Sequence, residues 1–372
     1  MSRSLDIVVI GLSITSSWGN GHATTFRSLI KGLDRLGHEV LFLERDVPWY
    51  ADNRDLPDPP FGRTRLYRSL DELRETHEKA VADADLVVLG SYVPDGIEIA
   101  RWLTATVSGT VAFYDIDTPV TLRALERGGC GYLEPGAIPC FDLYLSFAGG
   151  PTLTRLERDF GARRARALYC SVDPDLYRRA PTMPALDLGY LGTYSADRQP
   201  KLDALLLEPA RAWPGGRFVV AGPQYPPHVV WPENVARIEH LAPDRHPGFY
   251  GAQRFTLNIT RADMVASGFA PSVRLFEAAA CGTPVISDRW AGLDELFRDG
   301  RELLIADDGE AVLRHLRTTG EVERLALAEA ARRRVLAAHT GACRAGELVE
   351  MVREVESAGA GRPALAPLDA RP

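Results

Sequence analysis

Chemistry is most concentrated between Arg261 and Ser287, where Ser267-Gly268-Phe269-Ala270-Pro271-Ser272-Val273-Arg274-Leu275-Phe276-Glu277 runs on into Ala278-Ala279-Ala280-Cys281-Gly282-Thr283-Pro284-Val285-Ile286-Ser287. Gly268 permits close approach of the backbone to a ligand, and Ser272 is a residue type that caps a helix. The helix expected over Ser272–Cys281 is apolar almost all round and should be buried. Its unpaired N–H groups and positive dipole end suit a phosphate. Glu277 falls in the middle of that helix. A buried carboxylate needs a partner, because leaving it uncompensated costs on the order of 3–5 kcal/mol. Two partners are open: Arg274, one helical turn earlier, or a pair of ligand hydroxyls.

A second constellation is Tyr190-Leu191-Gly192-Thr193-Tyr194-Ser195-Ala196-Asp197-Arg198-Gln199-Pro200-Lys201. A strand ends in Gly192, a short loop follows, and two cations precede a helix. They are either a phosphate site or an exposed helix start. Near the N-terminus, Gly19-Asn20-Gly21 turns into a helix, an arrangement able to cradle a phosphate. A dinucleotide fold would want G-x-G-x-x-G, and Thr24 stands where the third glycine belongs; Glu44, after the second strand, could mimic that fold's ribose-binding acid. Nothing downstream looks like a hydride-transfer site. His22 follows the same turn, and Asp115-Ile116-Asp117 follows a later strand. A histidine whose ring is held by a carboxylate can take a proton from an attacking hydroxyl. The plainer alternative is a helix-start histidine with Asp115 and Asp117 capping a turn.

The elements that must position these residues alternate. Strands are expected at Ile7–Gly11, Val40–Glu44, Leu86–Gly90, Thr110–Tyr114, Leu143–Ser146 and Ala167–Tyr169, with helices at Thr24–Leu36, Leu70–Ala82, Ile97–Thr106 and Thr152–Phe160. After a Pro- and Asp-rich joint, Val172–Pro184, strands follow at Leu188–Leu191, Arg217–Ala221, Val235–Glu239, Phe255–Ile259 and Pro284–Ser287. Helices are expected there at Pro200–Ala212, Ser272–Cys281, Leu293–Phe297, Glu310–Leu316 and Val322–His339. Such alternation implies crossover connections and parallel sheets covered on both faces. The expected domains are 1–172 and 185–340, then a helix within 341–356 that returns to the first, and a disordered tail over 357–372. Ligands of open parallel sheets sit outside the carboxyl ends of the strands, so the chemistry belongs in a cleft between two such sheets.

The stretch ending in Glu277 resembles the donor-binding signature of GT-B glycosyltransferases, which are built from two facing Rossmann-like domains. It is most similar to the spore-maturation-protein-like branch, with a glycosyltransferase family 4-like (group 1) donor domain carrying a Glu-x7-Glu motif. The resemblance implies that Glu277 grips the ribose hydroxyls of a nucleotide. The position eight residues earlier is Phe269 rather than glutamate, which departs from the motif at a place near the donor sugar. The Gly192–Lys201 segment resembles the turn where an Arg or Lys neutralises the pyrophosphate, implying that role for Arg198 and Lys201 together with Arg274. Charge-assisted bonds of about 1.5–3 kcal/mol each would then hold a diphosphate without metal. Val219–Pro223 resembles the next strand and turn, Val235–Pro243 the strand whose loop holds the base (hence Leu241), and Cys170–Tyr177 the interdomain joint. Gly192, Thr193, Arg261, Gly268, Phe269, Ser272 and Val273 complete the implied donor site. Inverting GT-B members often carry a histidine in the first loop, which implies His22 as base with Asp115 or Asp117 orienting it. Asp115-x-Asp117 also spells the D-x-D of metal-dependent enzymes of another fold; with side-chain cations present, no metal or cofactor is expected beyond the nucleotide sugar.

Composition narrows the classes. At 372 residues two domains are expected, and 45% hydrophobic with 25% charged residues is ordinary for a globular chain. A net charge of −7 argues against a nucleic-acid partner. The five cysteines are scattered, without a C-x-x-C pair, suiting a reducing, cytoplasmic compartment. No apolar run approaches the roughly 18 residues a membrane span needs. The expected activity is sugar transfer from a nucleoside diphosphate sugar to a small-molecule or glycan acceptor. A nucleotide-sugar epimerase of the same fold, or a non-catalytic binding or structural descendant, are the alternatives.

Overall fold

The computed structural model describes residues 3–19 and 21–359. Asn20, and the expected tail from residue 360 onward, lie outside the described residues. The chain divides into two compact units, one formed by the residues up to Cys170 together with those from Gly341, the other by Ser171–Thr340.

The first unit contains β1 (Asp6–Gly11), β2 (Glu39–Arg45), β3 (Arg63–Tyr67), β4 (Leu86–Gly90), β5 (Thr110–Asp115), β6 (Leu143–Ser146) and β7 (Ala165–Ala167). They form one seven-stranded sheet in the order β3-β2-β1-β4-β5-β6-β7, parallel throughout. The central strands are near-continuous apolar runs because both faces are covered; Ile7, Val8, Val9 and Ile10 are all buried, with Ile7 opposite Leu86 and Ile10 opposite Leu89. The second unit contains β8 (Leu186–Leu191), β9 (Phe218–Ala221), β10 (Val235–Ile238), β11 (Gln253–Asn258), β12 (Val285–Ser287) and β13 (Leu304–Ile305). Its parallel order is β10-β9-β8-β11-β12-β13. Both sheets reverse their winding beside their first strand, at β1/β4 and β8/β11, and right-handed crossovers then put helices on both faces. Two doubly wound α/β domains are the architecture.

Among the elements that differ from expectation, three have a plain physical reason. The polar stretch from Tyr50 to Arg65, where no strand is expected, contributes to β3. That strand lies at the sheet edge with only Tyr67 fully buried, so it carries no apolar alternation to read. The helix expected over Pro200–Ala212 is broken into Gln199–Leu202, a wide π turn at Asp203–Leu207 and Glu208–Ala212. Pro209 has no N–H for an i→i−4 bond, and the chain accommodates it by widening the preceding turn. Thr118–Glu126, which the sequence reading omitted, is a helix opened by Pro119.

The last helix, Gly341–Ala358, packs along helix His22–Arg35 in the first unit. A Cβ at Gly341 would stand 2.0 Å from the Ser28 carbonyl oxygen, and one at Gly32 would stand 2.4 Å from the Gly341 carbonyl oxygen. Both obstacles are backbone, so the crossing depends on the missing methyls. Gly346, on the same helix, has nothing within 4 Å of such a Cβ. Gly341→Ala should therefore cost about 1–3 kcal/mol, whereas Gly346→Ala should stabilise by up to about 1 kcal/mol; urea unfolding of the two variants against the parent checks the contrast.

Candidate functional site

In the second unit Gly192, Lys201 and Arg274 come together at the carboxyl ends of β8, β11 and β12. Helix Val273–Ala280 is buried from Arg274 onward, as its apolar composition requires. Arg274 is 6% exposed and Glu277 4%. They do not pair with each other. Arg274 donates from Nε to the Leu191 carbonyl (2.5 Å) and from Nη1 to Asn258 Oδ1 (3.0 Å) and Ser272 Oγ (3.4 Å), and its guanidinium lies 4.7 Å from the centre of the Tyr190 ring. Among the described residues no carboxylate ion-pairs with it. Glu277 accepts from the Tyr250 hydroxyl at 3.1 Å, and no cation ion-pairs with it among the described residues. The internal bridge open in sequence is thus not made, because the Arg274 side chain turns toward the sheet edge while Glu277 turns toward Tyr250.

Gly192 has to be a glycine for this arrangement: a Cβ there would lie 2.9 Å from Arg274 Nη2 and 2.6 Å from the Tyr190 hydroxyl. Thr193 contributes its carbonyl, which accepts from Arg198 Nη2 at 2.8 Å. Lys201 is held by the buried Asp288 at 2.6 Å. Asp288 in turn accepts from Thr260 N–H at 3.2 Å and Thr260 Oγ1 at 2.9 Å, while Asn258 Nδ2 donates to Ser287 Oγ at 3.0 Å. One polar network therefore links all three strand ends to Lys201 and Arg274. Arg261 joins the β8 loop through Asp197, 3.9 Å away. Ser272 holds the N-cap position with extended backbone but caps no N–H with its hydroxyl, which instead accepts from Arg274. Val273 opens the helix. Gly268, at φ 68°, ends helix Ala262–Ser267, and Phe269 follows at φ 51°, its ring close enough to Gly292 that a Cβ there would lie 2.3 Å away. Leu241 lies on the loop after β10, its carbonyl facing His246 Nε2 at 3.2 Å.

Sequence reading missed Asn258, Thr260, Asp288 and Tyr250. The first three carried a signal: each is a polar residue where an apolar strand ends, the position at which parallel sheets present ligand contacts. Tyr250 carried none, since its partner Glu277 is 27 residues away.

In the first unit, Glu44 accepts from Ile14 N–H (2.7 Å), Thr15 N–H (2.9 Å), Thr15 Oγ1 (2.6 Å) and Ser13 Oγ (3.1 Å). The carboxylate is consumed in holding the loop after β1, which corrects its reading as the ribose-binding acid of a dinucleotide fold. Gly19 and Gly21 flank Asn20 in open space, and Gly21 is the N-cap of helix His22–Arg35. The His22 ring is buried edge-on against Tyr92, with centroids 5.4 Å apart, and its Nδ1 has no partner among the described residues. Neither Asp115 nor Asp117 bonds it. Asp117 accepts from the Tyr92 hydroxyl at 3.3 Å, and it is the Tyr92 ring against which His22 packs. Asp115 is fully enclosed and accepts from Tyr144 Oη (2.6 Å), Thr121 Oγ1 (2.7 Å) and Asp117 N–H (3.3 Å). Tyr92 itself adopts φ 64° just beyond β4, the kind of backbone strain that functional positions retain. Among the described residues no group of three His, Cys, Asp or Glu side chains is placed to hold a metal ion, and no helix is long and apolar enough to cross a membrane.

Residues 198–350 match the sequence profile of a family described as glycosyl transferase-like. No curated protein matches the chain. Among solved structures, sucrose-phosphate synthase from Thermosynechococcus elongatus superposes with a TM-score of 0.68 at 16% identity, over 96% of this chain and 100% of that one. HepE from Anabaena, in complex with UDP and glucose, gives 0.67 at 12% identity over 93% and 99%. AviGT4, a glycosyltransferase involved in avilamycin A biosynthesis, gives 0.62 at 18% identity over 96% and 99%. The two domains thus have the GT-B fold, and the second unit carries a glycosyltransferase-like segment.

Burial alone lowers the His22 pKa to about 4. Burial raises that of Asp115 to about 6, against the pull of its Tyr144 and Thr121 hydrogen bonds. The signs oppose. Asp115 binds its proton more tightly folded than unfolded, so its contribution to stability is full below its ordinary value of 3.8 and is lost as pH rises to about 6. His22 binds its proton less tightly folded, so its contribution is full above 6.5 and is lost as pH falls to about 4. Relative to the parent, Asp115→Asn should gain on the order of 3 kcal/mol between pH 4 and 6. His22→Gln should lose a comparable amount over a similar window. Urea unfolding at stepped pH measures both slopes.

Proposed function

We propose that the chain is a glycosyltransferase that binds a nucleoside diphosphate sugar at the carboxyl ends of β8, β11 and β12 and passes its sugar to an acceptor served by the first unit. One observation carries the reading: Arg274 and Glu277 are both buried, one turn apart, and among the described residues neither has an ionic partner. An unpaired buried charge costs several kcal/mol. A nucleoside diphosphate relieves both at once, its phosphates meeting the guanidinium and its ribose hydroxyls donating to the carboxylate. The Ser272, Val273 and Arg274 N–H groups form no backbone bonds among the described residues and favour an anion at the helix start. Arg198 and Lys201 supplement that charge, so the leaving diphosphate is stabilised electrostatically without metal.

UDP is the first donor nucleotide to test, since the Anabaena neighbour was solved with it. The loop carrying Leu241 is the proposed base site. His22 is the proposed base for the acceptor hydroxyl: burial keeps it uncharged near neutral pH, and Asp117 acts on it through Tyr92 rather than directly. Membership of the spore-maturation-protein-like branch rests on the motif around Glu277. Five free cysteines support a reducing compartment such as the cytoplasm.

Phe269 favours a second reading. Its ring packs where the motif would offer a carboxylate to the donor sugar, and a chain so altered can bind nucleotide and turn nothing over. Product analysis with and without acceptors separates transfer, isomerisation of the donor and plain binding.

UDP, GDP, TDP and CDP should be screened by thermal shift. A nucleotide at about 100 times its dissociation constant stabilises by roughly 2.7 kcal/mol. Arg274→Ala and Glu277→Ala should each erase the shift, whereas His22→Ala should keep it and lose transfer. If no nucleotide or nucleotide sugar raises the melting temperature of the parent, the proposal fails.

A further inference from the structure

Against the ring of Tyr250, the donor to Glu277, lies a histidine that neither the motif nor the comparisons assign. His246 opens helix His246–Gly251; its Nε2 is 3.2 Å from the Leu241 carbonyl oxygen and its Nδ1 3.1 Å from the Tyr177 hydroxyl. A carbonyl oxygen only accepts, so Nε2 must carry the ring proton. In the uncharged ring Nδ1 is then an acceptor, and the Tyr177 O–H donates to it. Tyr177 is fully buried, on the segment that enters the second unit, and its hydroxyl stands within reach of the Glu277 carboxylate. Burial first, and then the Glu277 charge, push its proton loss to higher pH. The hydroxyl has one proton, and His246 takes it. Among the described residues Glu277 is left with Tyr250 as its one phenol donor.

We infer that His246 is a positioning residue that holds the Tyr177 hydroxyl away from Glu277 and so keeps that carboxylate open to the ribose hydroxyls of the donor. This rests on the donor reading above and deepens it. With His246 in place, Tyr177 turns an oxygen lone pair rather than a proton toward Glu277, which then draws its second donor from a ligand. Without His246, the Tyr177 O–H swings to Glu277 and satisfies it internally, in competition with ribose. Because His246 also holds the Leu241 carbonyl, the loop proposed for the base and the carboxylate proposed for the ribose share one anchor.

The test uses the full chain and measures binding of UDP, GDP, CDP and ADP by calorimetry, each beside its 2′,3′-dideoxy counterpart. His246→Leu should weaken the best-bound ribonucleotide about tenfold, the scale of a lost hydrogen bond to a charged group, and leave the dideoxy form within about twofold, since that form offers Glu277 no hydroxyl. Adding Tyr177→Phe to His246→Leu removes the competing hydroxyl and should recover most of the loss, a non-additivity that a merely structural defect would not show. Equal losses on the ribo and dideoxy forms, or no recovery in the double variant, would overturn the inference. If His246→Leu gives no cooperative melting transition, His246→Phe makes the same test with a ring that has neither nitrogen. Absence of nucleotide binding by the parent is a separate outcome: it overturns the donor reading and this inference with it.

Discussion

Burying two unlike charges one turn apart on the same helix, without letting them meet, is the constraint around which the second unit is organised. Arg274 is drawn to the sheet edge by the Leu191 carbonyl and Asn258, and Glu277 is drawn the other way by Tyr250. Had they paired, the site would be an inert internal salt bridge. The surrounding polar residues at the ends of β11 and β12 make sense in that light. Asn258, Thr260, Ser287 and Asp288 orient the guanidinium and the Lys201 ammonium without cancelling the charge of Arg274. Such preorganised cations suit a ligand group that carries or gains negative charge.

The first unit handles buried polar groups differently. Glu44 and Asp115 are enclosed carboxylates, each saturated by hydroxyl and N–H donors from its own neighbourhood. They fix the loops after β1 and β5. His22 is the exception, a buried imidazole resting against the Tyr92 ring, its Nδ1 without a partner among the described residues. Saturated acids are scaffolding; a ring nitrogen without a partner among the described residues keeps its capacity for a hydrogen bond.

Local grammar made much of this legible. The alternation of apolar runs and amphipathic stretches located eleven strands well enough to imply parallel sheets, because buried parallel strands must be apolar on both faces. It failed at β3 and β13, an edge strand and a two-residue strand, where exposure removes the pattern. It also failed at Pro209, whose effect on helix geometry depends on how the neighbouring turn yields. The polar cluster at the ends of β8, β11 and β12 was legible through Gly192, Arg198, Lys201 and Arg274, with Glu277 on the same helix, since these lie close together in sequence within two short segments.

The sequence by itself determined which residues bear charge, which strands are buried on both faces, and that a carboxylate and a guanidinium would share one apolar helix. Whether those two would pair was decided only by tertiary structure, as were the capture of Lys201 by Asp288, 87 residues away, and the separation of His22 from Asp115. The physical reason is that partner choice among buried polar groups depends on side-chain direction and distance across strands remote in sequence. Residue types and local spacing leave such choices degenerate, and packing removes the degeneracy.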